Sequence, residues 1–114
     1  MKEEIISIET VVSKMLIEKN LTISTAESCT GGLVSATLIN YPGISSVFIE
    51  GCVTYSNESK INRLGVNPNT LKIHGAVSEE TAREMAEGIA KNFDTNVAIS
   101  TTGIAGPDGG TIDK

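Results

Sequence analysis

Residues 21–32 read Leu-Thr-Ile-Ser-Thr-Ala-Glu-Ser-Cys-Thr-Gly-Gly. The apolar opening, Leu21 to Thr25, predicts a strand, and the residues after it predict a tight turn into a helix. Such a turn sets Ser28 and Thr30 at the carboxyl end of the strand. Gly31 and Gly32 would let the backbone approach a ligand closely. α/β proteins present a nucleophile or an anion site at this place. Two later segments repeat the pattern. Tyr55-Ser-Asn-Glu-Ser-Lys60 brings a phenol and an amine to the end of a second strand-like run, and Thr101-Thr-Gly-Ile-Ala-Gly-Pro-Asp-Gly-Gly110 is a third loop with four glycines. A hydroxyl, a lysine and glycine-rich loops at three strand ends point to a hydrolase acting on a phosphorylated substrate.

Outward from that stretch, helices and strands alternate. Ile5, Ile8, Val12, Met15 and Leu16 fall at helical spacing, so residues 3–19 read as an amphipathic helix. Gly31 to Asn40 reads as a helix with Ser28 or Thr30 near its start and Tyr41-Pro42-Gly43 at its stop. Val47 to Tyr55 is rich in strand formers, with Gly51 as the place for a bulge. Asn57 to Leu64 reads as a short helix capped by Ser56 or Asn57 and ended by Gly65. Residues 66–77, with Pro68 and Gly75, read as a connection. Ser78-Glu79-Glu80 opens a helix with a serine cap and two acids where the helix dipole favours them, and Ala82, Met85, Ala86, Ile89 and Phe93 are its apolar stripe. Val97 to Thr101 is a third strand. The alternation predicts an α/β layered sheet.

The 114 residues suffice for one domain, 1–114, and not for two. Hydrophobic content of 39% with only 4% aromatic residues and no Trp predicts a core of Ile, Val, Leu and Ala. A net charge of −5 argues against a nucleic-acid partner, which needs a basic face. It leaves room for a small anionic ligand, since backbone N–H groups bind phosphate without net positive charge. No apolar run is long enough to span a bilayer, and no secretory pattern follows Met1-Lys-Glu-Glu4. Cys29 and Cys52 make neither a disulfide framework nor a zinc pair, which fits reduced thiols in a cytoplasmic protein. His74 is the single histidine, so neither a histidine-built metal site nor a scheme with two histidines is expected.

Ser28 is the candidate nucleophile. A serine hydroxyl is weak until a base removes its proton. Lys60 can be that base if burial or a nearby cation holds it neutral, as in Ser-Lys hydrolases. Tyr55 can relay a proton or position the amine. Each residue also has a plain alternative: Ser28 as a helix cap, Lys60 as a solvated helix charge, Tyr55 as a core residue at a strand end. Glu27 either orients the lysine or a substrate amide, or is an exposed acid. Cys29 is either a rival nucleophile, its thiol acidified by a helix N-terminus, or a buried and inert side chain. Thr102, Gly103, Gly106, Gly109 and Gly110 can form a backbone nest for phosphate, although the spacing matches neither the P-loop nor the dinucleotide fingerprint. The alternative is a plain Gly/Pro turn. His74 reads as packing in the turn before the last helix.

Taken together, Ala26-Glu-Ser-Cys-Thr-Gly-Gly32, Gly51-Cys-Val-Thr-Tyr-Ser-Asn57 with Lys60, Leu64-Gly-Val66, His74-Gly-Ala-Val-Ser78 and Thr102-Gly-Ile-Ala-Gly-Pro107 with Gly109-Gly110 resemble one family. It is the C-terminal domain of the CinA (competence/damage-inducible) proteins, the nicotinamide-nucleotide amidases. The similarity runs from about residue 6 to the end of the chain. It implies a three-layer α/β/α fold with a mixed, mostly parallel sheet. It also implies hydrolysis of the carboxamide of nicotinamide mononucleotide to nicotinate mononucleotide and ammonia. Ser28 is then the nucleophile, Lys60 the general base and Tyr55 an assisting group. Glu27, Cys29, Thr30, Gly31, Gly32, Thr102, Gly103 and Gly106 bind substrate. No metal or cofactor is implied, and the partners are a pyridine nucleotide and further copies of the chain, as a dimer or larger.

Two departures accompany the resemblance. Some family proteins carry an additional N-terminal domain, linked to ADP-ribose pyrophosphatase activity. Family domains also continue past the Gly-Gly loop with a strand and a long helix, so this chain is expected to lack the last strand and helix of the domain. The rival class is a non-catalytic nucleotide-binding or interaction module of the same fold. A role in DNA uptake or damage response rests on the family's name alone, and the acidic charge opposes it.

Overall fold

The computed structural model describes residues 6–104. Helix α1 (Ile8–Lys19) leads into strand β1 (Ile23–Glu27), helix α2 (Leu33–Ile39), a 3-10 turn at Ile44–Ser46 and strand β2 (Phe48–Val53). Helices α3 (Asn57–Leu64), α4 (Pro68–His74) and α5 (Glu79–Phe93) follow, then strand β3 (Val97–Ser100). The described strands form one parallel sheet in the order β2-β1-β3. Any antiparallel member of the expected mixed sheet lies outside the described residues.

Central β1 is buried at all five positions, as a parallel strand covered on both faces must be. On one face Ile23 packs with Leu16 of α1, Leu38 of α2, and Ile44 and Val47. On the other, Ala26 packs with Leu64 of α3, Val66, and Met85 and Ile89 of α5. Helix layers on both faces of a parallel sheet are the three-layer α/β/α arrangement that the alternation and the resemblance predict. Helices α3 and α5 lie close together because Gly88 has no side chain: a Cβ there would fall 2.0 Å from the Leu64 carbonyl oxygen.

Several sequence expectations need correction. β1 runs two residues later than Leu21–Thr25, which moves Glu27 from the turn into the strand. Residues 66–77 are not a plain connection. Asn67 accepts a hydrogen bond from the Asn69 amide at 2.9 Å, and Pro68 stands at the first helical position of α4, where its missing N–H costs nothing. Gly51 makes no bulge. It pairs in register with Thr25, and the irregularity lies between Ile23 and Ser24. Gly51 is required for space, since a Cβ would lie 2.6 Å from Ser35 Oγ and 2.8 Å from Thr25 Oγ1. The caps of α3 and α5 are as read: Ser56 and Ser78 accept from the amides of Ser59 and Thr81.

Candidate functional site

The carboxyl ends of β1, β2 and β3 lie side by side because the sheet is parallel. Chain order also reverses direction at β1, with β2 on one side and β3 on the other. A crevice at such a switch point is where open α/β sheets bind ligands. Here a cavity of about 290 Å3 is lined by Ser28, Cys29, Tyr55, Lys60, Ala76, Val77, Thr102, Gly103 and Ile104. Six residues singled out from sequence thus meet in one place, from three strand ends and one helix. Grooves of about 660 and 690 Å3 lie elsewhere, yet neither contains a nucleophile hydrogen-bonded to a base. Chemistry, not size, selects the smaller cavity.

Ser28 directly follows β1 and is 7% exposed. Lys60, in the first half of α3, is 1% exposed, so it is no solvated surface charge. Its Nζ lies 3.1 Å from Ser28 Oγ, 2.7 Å from the Thr54 carbonyl oxygen and 3.2 Å from the Tyr55 carbonyl oxygen. Burial lowers the Lys60 pKa below the ordinary lysine value, with charge on Cys29 acting in the opposite direction. The surroundings satisfy both protonation states. A charged ammonium donates to all three oxygens. A neutral amine donates to the two carbonyls, which can only accept, and turns its lone pair to the one neighbour that can donate, the Ser28 hydroxyl. A proton can therefore pass from Ser28 to Lys60 without rearrangement.

Tyr55 contributes its main-chain carbonyl to Lys60, while its side chain is 76% exposed at the cavity mouth. It is not a core residue. Cys29 is half-buried in the cavity wall, and neither it nor Cys52 is in a disulfide. The Cys52 thiol lies on the β2 edge, away from the cavity, and burial together with the nearby Glu50 charge pushes its pKa up.

Glu27 is neither an exposed acid nor a ligand of the lysine. It is 1% exposed, and its carboxylate accepts hydrogen bonds from Thr30 Oγ1, the amides of Gly32, Val34 and Ser35, and Ser35 Oγ. It therefore caps α2 from the preceding strand, a place expected for Ser28 or Thr30. Burial alone would raise its pKa, but the bonds from Ser35, Thr30 and Val34 outweigh burial and bring it to about 2. Gly31 and Gly32 have φ of 60° and 108°, which is why both are glycine. No protein atom lies within 4 Å of a Cβ built at Gly31, so within the chain it is the left-handed backbone that calls for glycine there. Thr30, Gly31 and Gly32 do not line the cavity. They build the turn that holds Ser28, with the Gly31 amide donating to the Ser28 carbonyl.

Thr102 and Gly103 form part of the opposite wall, and the Thr102 hydroxyl donates to the Ala76 carbonyl oxygen at 2.7 Å. Gly106, Gly109 and Gly110 lie outside the described residues. His74 is not in the cavity; its Nδ1 is 3.1 Å from a Glu80 carboxylate oxygen. Sequence reasoning missed Thr54 and Thr101. Thr54 works through its carbonyl, which no side-chain pattern reveals. Thr101 was hidden beside Thr102, although adjacent residues at a strand end face opposite ways. Among the described residues no group of three His, Cys, Asp or Glu side chains could hold a metal, and no helix is long and apolar enough to cross a membrane.

Comparisons with known proteins bear on the family and the fold. The model of the CinA C-terminal domain matches residues 5–114. A competence-damage inducible protein of Clostridioides difficile is 69% identical over 95% of this chain, and one of Clostridium beijerinckii is 70% identical over 97%. The chain spans 26% and 27% of the length of these two relatives. Among solved structures, a competence/damage-inducible protein of Agrobacterium tumefaciens superposes with a TM-score of 0.86 at 42% identity, covering all of this chain and 71% of that one. A competence damage-inducible protein of Klebsiella pneumoniae gives the same TM-score at 40% identity, covering 90% of this chain and 63% of that one. The chain belongs to the CinA C-terminal domain family.

Proposed function

We propose that this domain is an amidase that hydrolyses the carboxamide of nicotinamide mononucleotide to nicotinate mononucleotide and ammonia by a Ser-Lys mechanism. The observation that carries this reading is the buried contact of 3.1 Å between Lys60 Nζ and Ser28 Oγ. Burial favours the neutral amine, which is the form a general base needs. The substrate comes from the family resemblance. It fits a cavity of about 290 Å3 whose apolar wall, Ala76, Val77 and Ile104, suits one face of a flat aromatic ring.

Neutral Lys60 takes the proton of Ser28 Oγ as that oxygen attacks the amide carbon. The oxyanion forms beside the turn, where Gly31 and Gly32 amides are already committed to Ser28 and Glu27. The amides of Cys29 and Thr30 take no part in those bonds, directly follow the nucleophile in the chain, and are the donors assigned to the oxyanion. Protonated Lys60 then gives its proton to the departing nitrogen, releasing ammonia and leaving an acyl ester on Ser28. Water, deprotonated by Lys60, attacks the ester and returns Ser28 to its hydroxyl form. Tyr55 at the mouth assists by closing over the ring or by hydrogen-bonding the amide. Thr102 and Gly103 face the ribose or phosphate.

The test is ammonia release from nicotinamide mononucleotide by this chain and by Ser28→Ala. Release by the wild type that falls about 10³-fold or more in the variant is the expected outcome. Equal rates in the two, or binding of the nucleotide without release by either, would sink the amidase reading; the second result favours a binding module.

A further inference from the structure

Behind the nucleophile runs a chain of hydroxyls whose direction can be deduced. Glu27 is ionised at any pH well above about 2, and an ionised carboxylate only accepts hydrogen bonds. Thr30 Oγ1, 2.6 Å from Glu27 Oε1, must therefore donate to it. Thr101 Oγ1 lies 2.7 Å from Thr30 Oγ1, whose proton is already committed, so Thr101 is the donor in that pair. Only lone pairs of Thr101 Oγ1 then remain, and they face the Ser28 amide, which donates at 3.3 Å. The Thr101 amide meanwhile donates to the Ala26 carbonyl at 3.0 Å. One residue thus holds β1 through its main chain and the nucleophile through its side chain.

We propose that Thr101 is a positioning residue for Ser28, oriented by Glu27 through Thr30. This inference rests on the amidase reading. β1 ends at Glu27, so Ser28 stands just beyond the strand, and the Thr101 hydroxyl carries the β1–β3 pairing one step further. Lys60 approaches Ser28 from α3, the helix that follows β2 and packs with α5 on the sheet face carrying Ala26. Both anchors are needed to keep Oγ and Nζ at 3.1 Å. A displacement of about 1 Å at a reacting atom can cost about 10² in rate. Thr102, the threonine that faces the cavity, does not share this role, because its hydroxyl is spent on Ala76.

The experiment compares Thr101→Val, Thr101→Ser and Ser28→Ala with the wild-type chain, measuring kcat and KM for nicotinamide mononucleotide alongside Tm. Valine keeps the shape and removes the hydroxyl, so kcat should fall about 10- to 100-fold while KM stays within about twofold. Serine restores the hydroxyl and should recover kcat to within about threefold of the wild type. Should Thr101→Val not fold, Thr30→Val leaves Thr101 intact but removes its acceptor and should lower kcat in the same way. Wild-type kcat in the valine variants, equal losses in Thr101→Val and Thr101→Ser, or a loss confined to KM would each overturn the role of Thr101 while leaving the amidase in place. Turnover that survives in Ser28→Ala, or a wild-type chain without turnover, would overturn the amidase reading and this one with it.

Discussion

Two buried ionisable side chains sit near one end of the same sheet and are treated in opposite ways. Glu27 and Lys60 are each 1% exposed. Glu27 is surrounded by donors alone, and five of them point at its two oxygens, so only the charged form is satisfied. Lys60 meets two carbonyls and one hydroxyl, and the hydroxyl can act as donor or acceptor, so both forms are satisfied. A group held in one protonation state is a structural element. A group at home in two is equipped to move a proton. The same degree of burial thus builds a helix cap on one side of Ser28 and a candidate base on the other.

The largest effect that can break the contrast is on turnover. Lys60→Met keeps the length and apolar stem and removes the amine. It should cut ammonia release from nicotinamide mononucleotide by about 10²- to 10⁴-fold, the usual size of general-base catalysis. The folding stability of the same variant should stay within about 1 kcal/mol of the wild type, because the desolvation cost of burying the amine offsets the hydrogen bonds that are lost with it. Turnover that persists, or a collapse of the fold, would put Lys60 in the same class as Glu27.

Next in size is the cost of altering the cap. Glu27→Gln keeps the shape but presents an amide NH2 to donors on α2. Unfolding by urea should show a loss of about 2–3 kcal/mol from the amides left without an acceptor. If stability is unchanged, the five bonds do not hold the turn and Glu27 must be valued for something else.

The smallest effects are in the pH dependence, and the two groups have distinct windows. The folded pKa of Glu27, about 2, lies below its unfolded value near 4.5. Its contribution is fully present above the unfolded pKa and is lost as pH falls toward 2. Lys60 is also lowered, but it is a base. Between its folded pKa and the unfolded value of about 10.4 the unfolded chain binds more protons, so stability rises with pH across that interval. Turnover should rise over the same folded pKa, with its midpoint below about 10.4. Denaturant titrations at several pH values on Glu27→Gln and Lys60→Met should remove the acid and alkaline dependence respectively; a dependence that survives its own variant belongs to another group.

Much of this was legible in the chain. Alternating apolar patterns located α1, α2, α3, α5 and all three described strands, and Ser56, Ser78 and Gly65 marked real helix ends. Where the reading failed, two local signals had been given the wrong partner. Residues 66–77, with Pro68, read as a connection, whereas Asn67 before the proline makes it a helix start. The strand reads as Leu21–Thr25, which leaves Glu27 beyond its end, because an acid beside Ser28 shows no local reason for burial. Its reason is the N-terminus of α2, which folds back over it.

By itself the sequence determined the layered α/β order, the strand ends that carry Ser28, Tyr55, Thr102 and Gly103, the short helix that carries Lys60, and membership of a family with those motifs. These depend on side-chain periodicity, turn residues and short motifs, all local along the chain. Only the tertiary structure decided which strands are neighbours, and hence that a serine after β1 meets a lysine from α3. It also decided that the lysine is buried against two carbonyls, that the acid is a cap, and that Thr101 stands behind the nucleophile while Thr102 faces the cavity. Those contacts join residues far apart in the chain, and desolvation, which sets the protonation of both charged groups, exists only once the layers have closed.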